Sequence, residues 1–170
     1  QKTAYELMPS LVGSEMCIRD SLLCAFICLI IGGGSGFLTA DSISTWYIDI
    51  NKPFFNPPNW VFGPVWTTLY TIMGISAGLI WNTGIQSKNT KKALWVFAIH
   101  ILLNGLWSIL FFGLKNPELA FIEIVLLLAS IIYYTQIFYR IRPLTAWLQI
   151  PYIFWVSFAS ILNGSIAWLN

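Results

Sequence analysis

From residue 22 onward the chain alternates long apolar runs with short polar breaks. A helix needs roughly 20 mostly apolar residues to cross the ~30 Å hydrocarbon layer of a bilayer. Cut at its polar breaks, the chain supplies five such runs: Leu22–Ala40, Pro58–Trp81, Ala93–Gly113, Pro117–Tyr139 and Leu144–Leu169. They are continuous and far longer than the ~10 alternating residues of an outer-membrane strand. The expected fold is therefore an all-α integral membrane protein, a bundle of five transmembrane helices. Gly32, Gly36 and Ala40 on the first run, and Gly74 and Gly78 on the second, repeat a four-residue spacing that lets helices approach closely, within one chain or between two.

Composition agrees with this reading. Hydrophobic residues make up 57% and charged residues 9%, against about 25% charged in a soluble domain. The net charge of +2 is too small and scattered for a nucleic-acid footprint. An odd number of crossings puts the two ends of the domain on opposite sides. Lys2, Arg19, Lys88, Lys91, Lys92, Arg140 and Arg142 then fall on the N-terminal side, and only Lys52 and Lys115 on the other. This bias makes the N-terminal side cytoplasmic in a bacterial inner membrane. The stretch "PSLVGSEMCIRDS", Pro9 to Ser21, resembles a translated sequencing adapter, so residues 1–21 are expected to be disordered or artefactual and residues 22–170 to form the membrane domain. Without Lys2 and Arg19 the charge bias persists.

Conventional chemistry is absent from the pattern. "GGGSG" in the first run lacks the Lys-Ser/Thr pair of a phosphate loop. Cys24 and Cys28 lie one turn apart on an apolar helix, where burial is the default, and no Ser/His/Asp or HExxH arrangement occurs. No catalytic constellation, metal site or required cofactor is expected.

The nine tryptophans sort by depth. Trp46, Trp60, Trp81, Trp95, Trp147 and Trp168 fall near span ends, where indoles favour the headgroup level. Trp66, Trp107 and Trp155 lie inside spans. At ~1.5 Å per residue, Trp66 is about 12 Å, Trp107 about 9 Å and Asn104 about 13 Å from the non-cytoplasmic end, with Trp155 nearer mid-membrane. Polar groups at such depth face the bundle interior or a hydrated cavity; Asn104 and Glu123 are of this kind. His100, one turn before Asn104, is a weak candidate haem ligand, and a neutral histidine bonded to a neighbouring helix is the expected alternative. His100, Asn104, Trp107 and Phe111 share one helical stripe, and Tyr152, Trp155, Ala159 and Asn163 another. Amides and a carboxyl at the depth of the indoles point to a cavity between the helices rather than a solid aromatic core. The preceding loop holds Trp46, Tyr47 and "KPFFNPPNW", whose Pro53, Pro57 and Pro58 stiffen the backbone. A stiff aromatic loop over the cavity mouth would act as a lid, with Pro58 at the first turn of the second helix.

The motif "WYxxxxKPxxxPPxWVFGPVWTxLY", realised from Trp46 to Tyr70, resembles the signature of the TspO/MBR family, the tryptophan-rich sensory and translocator proteins. "LNGLWSILFFG" at Leu103–Gly113 and "PYIFWVSFASILNGSIAWLN" at Pro151–Asn170 extend the resemblance over nearly everything after residue 25. It implies a five-helix membrane protein, commonly a homodimer, that binds porphyrins such as haem and protoporphyrin IX and possesses a pocket falling here on Tyr47, Trp66, Asn104, Trp107, Trp155, Ala159 and Leu162. It also implies an alternative to binding or transport, light-dependent porphyrin breakdown involving Trp66 and Trp155; a ligand-responsive sensor or scaffold, associating through the small-residue stripes of Gly32/Gly36 and Gly74/Gly78, is a further one. The C-terminal sterol-recognition pattern of some members is missing, because no basic residue follows Arg142. A match at Leu128, Tyr134 and Arg140 is a weak one, so sterol is a doubtful partner.

Overall fold

The computed structural model describes residues 4–170, with side chains from Cys17 onward. Its elements are α1 (Ala4–Ser44), α2 (Trp46–Asp49), α3 (Asn59–Trp81), α4 (Lys88–Ser108) continuing into a π-helical turn (Ile109–Gly113), α5 (Pro117–Ile141), α6 (Pro143–Trp147) and α7 (Ile150–Leu169). Among the described residues there is no strand. Four segments are long and apolar enough to cross a membrane: Cys17–Ser44, Lys88–Gly113, Pro117–Ile141 and Pro143–Leu169. These cover four of the five expected runs. The run Pro58–Trp81 becomes the 23-residue α3, which carries no charge, but its threonines, tryptophans and Pro64 leave it less apolar than the others. Helix α1 runs back to Ala4, so residues 4–21 of the segment set apart in the sequence are helical and continuous with the first span.

The element ends follow local chemistry. Asn116 caps α5 by accepting from the Leu119 N–H at 2.9 Å, and Pro117 occupies the first turn, where its missing N–H is no loss. Pro58 is not in the first turn of α3 but immediately before it, with ψ of 142°; an extended ψ at that position turns the chain into the helix. The run expected as one span, Leu144–Leu169, is broken between α6 and α7. Pro151 has no N–H to give the carbonyl of Trp147, and the helix restarts at Ile150 with this proline in its first turn. The π turn ends on a Leu114 N–H to Ile109 O bond of 2.8 Å, and Lys115 follows with φ of 53°.

The main helices run antiparallel in sequence order, and the contacts join α1 to α3, α1 to α4, α4 to α5, and α5 to α7. A Cβ at Gly74 would collide with the backbone of Ala25, and one at Gly78 with that of Ser21. Gly74 and Gly78 therefore seat α3 on α1 within a single chain. Far from this crossing, at the end bearing the Trp46–Asn59 connection, Gly33, Gly36 and Gly63 have open space where a Cβ would stand. At the opposite end a polar knot ties the bundle: Tyr134 donates to Gln149 at 2.7 Å, and Ser76 donates to the Thr145 carbonyl at 2.9 Å. Cys24 and Cys28 are free and buried. Trp60, Trp81, Trp95, Trp147 and Trp168 are exposed, as rings of an interfacial belt would be. Trp46 departs from that group and packs edge-on against Phe111.

Candidate functional site

The divergence of α1 from α3 leaves a cavity of about 270 Å³ between α1, α3 and α4, beneath α2. Its floor and walls include Tyr47, Trp66, Asn104 and Trp107, four of the seven pocket residues expected from the sequence. The other three, Trp155, Ala159 and Leu162, are not in that cavity. They line a nearly filled lobe of about 20 Å³ on the far side of Trp66 and Trp107. The partition is aromatic: Trp66 stacks on Trp107 with centroids 6.4 Å apart and planes 30° apart, Trp66 on Tyr70 at 5.5 Å, and Trp107 on Phe111 at 5.3 Å. Trp107 is held in place by its indole N–H, which donates to Asn163 at 3.0 Å, while Asn163 donates to the Pro117 carbonyl at 2.8 Å. The Trp155 indole nitrogen is buried with no partner among the described residues.

Both Phe111 and Phe112 reach Tyr47, at centroid distances of 6.1 and 5.6 Å. The wider π turn brings these consecutive side chains to one place. Tyr47 is buried, its hydroxyl donates to Asn56 at 2.7 Å, and burial pushes its phenol up to about 12, partly offset by that hydrogen bond. Lys52 closes α2: its ammonium donates to the carbonyls of Tyr47, Ile48 and Ile50 at 2.6, 3.0 and 2.9 Å and lies 5.1 Å from the Tyr47 ring centre. A cation on the last carbonyls of a short helix satisfies groups that have no partner within it. The loop is also tied to the end of α7, where the Asn51 N–H donates to the Asn170 side chain at 2.9 Å and Asn170 donates to the Asn51 carbonyl at 3.0 Å.

Of the residues expected in a lid, Trp46 lies against the filled lobe. Pro53 and Pro57 face outer grooves beside α7, and Pro58 only precedes α3. The residues at the cavity mouth are instead Ile43, Tyr47, Asn59 and Phe62.

His100 is fully buried, with Nδ1 2.7 Å from the Ser130 hydroxyl and Nε2 3.1 Å from that of Tyr152. With both nitrogens engaged, neither is free for an iron. Asn104 donates to Tyr152 at 2.6 Å and accepts from Tyr70. Glu123 is buried on the α5 face that carries Ala120 and Leu127, away from the cavity. Tyr134, the aromatic member of the sterol-like pattern, is fully buried and bonded to Gln149, so it does not face lipid.

Sequence reasoning missed Tyr70, Phe62, Phe112 and the α1 wall of Gly32, Ser35, Gly36 and Thr39. Tyr70 follows Trp66 by four residues and so shares its face, a signal that was present. The α1 wall carried none, because its hydroxyl hydrogens are spent within the helix, Ser35 donating to Gly32 O and Thr39 to Ser35 O, each at 2.9 Å, and the further contact of Thr39 with Ser108 at 3.1 Å joins residues far apart in the chain.

Residues 24–169 match the TspO/MBR family. The chain is 43% identical over 143 residues to the tryptophan-rich protein TspO of Archaeoglobus fulgidus, covering 84% of this chain and 91% of that one. It is 34% identical over 131 residues to the human translocator protein, covering 76% and 77%. Protein CrtK of Rhodobacter capsulatus is 32% identical over 145 residues, covering 85% and 89%.

Proposed function

We propose that this chain, which belongs to the TspO/MBR family, binds and carries flat apolar molecules of the porphyrin class, haem and protoporphyrin IX among them, in the cavity between α1, α3 and α4. The observation that supports this most is the wall itself. Trp66, Tyr70 and Trp107, stacked in series, together line a membrane-embedded space, and an aromatic wall of this kind stabilises a flat ligand through offset or edge-to-face contact. The cavity lies near the lower end of the usual ~300–1,000 Å³ range for ligand pockets, and a full tetrapyrrole would extend out through the glycine-lined gap between α1 and α3. Saturable quenching of tryptophan fluorescence by protoporphyrin IX, weakened by Trp66→Phe, is the expected result. Absence of saturation, or identical quenching in the variant, would overturn the reading.

The same rings favour a second reading. Tyr70, Trp66, Trp107 and Phe111 stack in series at 5.5, 6.4 and 5.3 Å, a path along which an excited ligand could take an electron from an indole. A new absorbing product formed in light, absent in darkness and lost on Trp66→Phe or Trp155→Phe would establish turnover. Porphyrin recovered unchanged after illumination would remove it.

In this reading α3 is a fifth crossing. Its 23 uncharged residues and its seat against α1 support that placement. The N-terminal side is cytoplasmic, in a bacterial inner membrane, and the protein is a homodimer in the bilayer.

A further inference from the structure

The hydrogens of the buried polar chain beside the cavity can be assigned one by one. Ser130 Oγ lies 2.7 Å from the Leu127 carbonyl and 2.7 Å from His100 Nδ1. A carbonyl only accepts, so the single hydroxyl hydrogen belongs to it, and Nδ1 must donate to Ser130. The ring is fully buried and bonded only to hydroxyls, which is the setting of a neutral imidazole with one ring hydrogen. Nε2 is then an acceptor and takes the hydrogen of Tyr152 at 3.1 Å. With its own hydrogen spent, Tyr152 accepts from Asn104 Nδ2 at 2.6 Å, which turns Asn104 Oδ1 toward Tyr70. Reversing the amide would require two ring hydrogens on His100, so the chain has one consistent direction: Tyr70 to Asn104 to Tyr152 to His100 to Ser130 to Leu127.

Tyr70 and Asn104 stand in the cavity wall. The only hydrogen of Tyr70 is committed to Asn104, so the phenol meets the cavity with a lone pair. Three of the nearby hydroxyls behave alike, Ser35, Thr39 and Thr67 giving their hydrogens to backbone carbonyls at 2.9 Å, and the fourth, Ser108, lies 3.1 Å from Thr39 Oγ1, which with its own hydrogen spent is the acceptor of that pair. We propose that the deep end of the cavity is a hydrogen-bond acceptor site centred on Tyr70 Oη, selecting flat ligands that present a ring N–H or a hydroxyl, and that His100 and Tyr152 are positioning residues that set this polarity through Asn104. The proposal rests on the cavity being a ligand site, as proposed above, but not on the ligand being a porphyrin. A wall hydroxyl with a free hydrogen would welcome acceptors and donors alike; one whose hydrogen is fixed elsewhere leaves an acceptor ligand facing a lone pair.

Three tricycles of the same shape separate the possibilities: carbazole, which has an N–H, dibenzofuran, which has only an acceptor oxygen, and fluorene, which has neither. Equilibrium dialysis against the full chain in nanodiscs, with partition into empty discs subtracted, reads the three affinities. Carbazole should bind roughly three- to tenfold more tightly than the other two. Tyr70→Phe should bring the three together. Tyr152→Phe, which frees the Asn104 amide without altering the wall, should shrink the carbazole preference while fluorene binding stays the same; simple destabilisation would weaken all three in proportion. Dibenzofuran binding as tightly as carbazole, or a carbazole preference that survives Tyr70→Phe, would overturn the proposal, as would retention of none of the three above empty discs. A carbazole preference in a protein that protoporphyrin IX fails to quench would support the acceptor site and remove the porphyrin reading alone.

Discussion

A methyl group added at Gly74 would collide with the Ala25 backbone, whereas one added at Gly36 would meet nothing within 4 Å, although both glycines belong to the same kind of four-residue stripe. Gly74→Leu should therefore prevent α3 from seating on α1, and little folded protein should survive detergent extraction, as size-exclusion profiles would report. Gly36→Leu should leave the thermal midpoint within a few degrees while occupying the cavity wall, so that affinity for protoporphyrin IX falls at least tenfold. A Gly36 variant that binds normally would place the ligand elsewhere. Trp107 supplies a second residue-scale case. Trp107→Phe keeps an aromatic ring but leaves Asn163 Oδ1 without its donor, and an orphaned buried acceptor costs about 1–3 kcal/mol. The cost should appear as a lowered thermal midpoint that Asn163→Leu in the same chain largely restores.

Among the elements, the connection from Trp46 to Asn59 differs most from an ordinary linker. Prolines make it stiff, yet its position over the cavity is fixed by Lys52 on three carbonyls and by the Tyr47–Asn56 bond. Lys52→Met keeps the aliphatic stem and removes the ammonium. Ligand release should then speed up severalfold with a smaller change in association, since differences between related complexes fall mostly in the dissociation rate. Stopped-flow displacement of bound porphyrin measures this, and equal release rates would reduce the loop to a simple connection. Pro57→Ala with Pro58→Ala should have the weaker effect, because neither proline reaches the cavity. The π turn after α4 has the complementary role of holding Phe111 and Phe112 against Tyr47 from the opposite wall.

For the whole molecule, the decisive matter is whether α3 crosses with the other four long segments. If it does, the loop at Phe54 and the turn at Gln86 lie on opposite faces of the membrane. Single cysteines placed there, in a chain whose three native cysteines are replaced by alanine, should be blocked by impermeant maleimide from opposite sides of sealed vesicles. Labelling of both from one side would leave α3 within a single leaflet. The packing favours the crossing, since α3 is seated along α1 through Gly74 and Gly78 and helps close the knot at the far end through Ser76.

Much of the architecture was legible in the chain alone. A bilayer offers no water to exposed backbone, so long uncharged runs must be helices, and the depth of a residue follows from its position in the run. That reasoning brought Trp66, Asn104 and Trp107 to one level, and the motif from Trp46 to Tyr70 identified the family. Only the tertiary structure decided which faces meet. It split the expected pocket, leaving Trp155, Ala159 and Leu162 behind the Trp66–Trp107 partition. It also brought in the α1 wall, broke the last run at Leu148 and Gln149, and engaged both nitrogens of His100. Helical periodicity gives the direction of a side chain around its own axis but not the rotation or separation of neighbouring axes. Here those were set by contacts such as Gly74 on Ala25 and by hydrogen bonds joining residues dozens of positions apart.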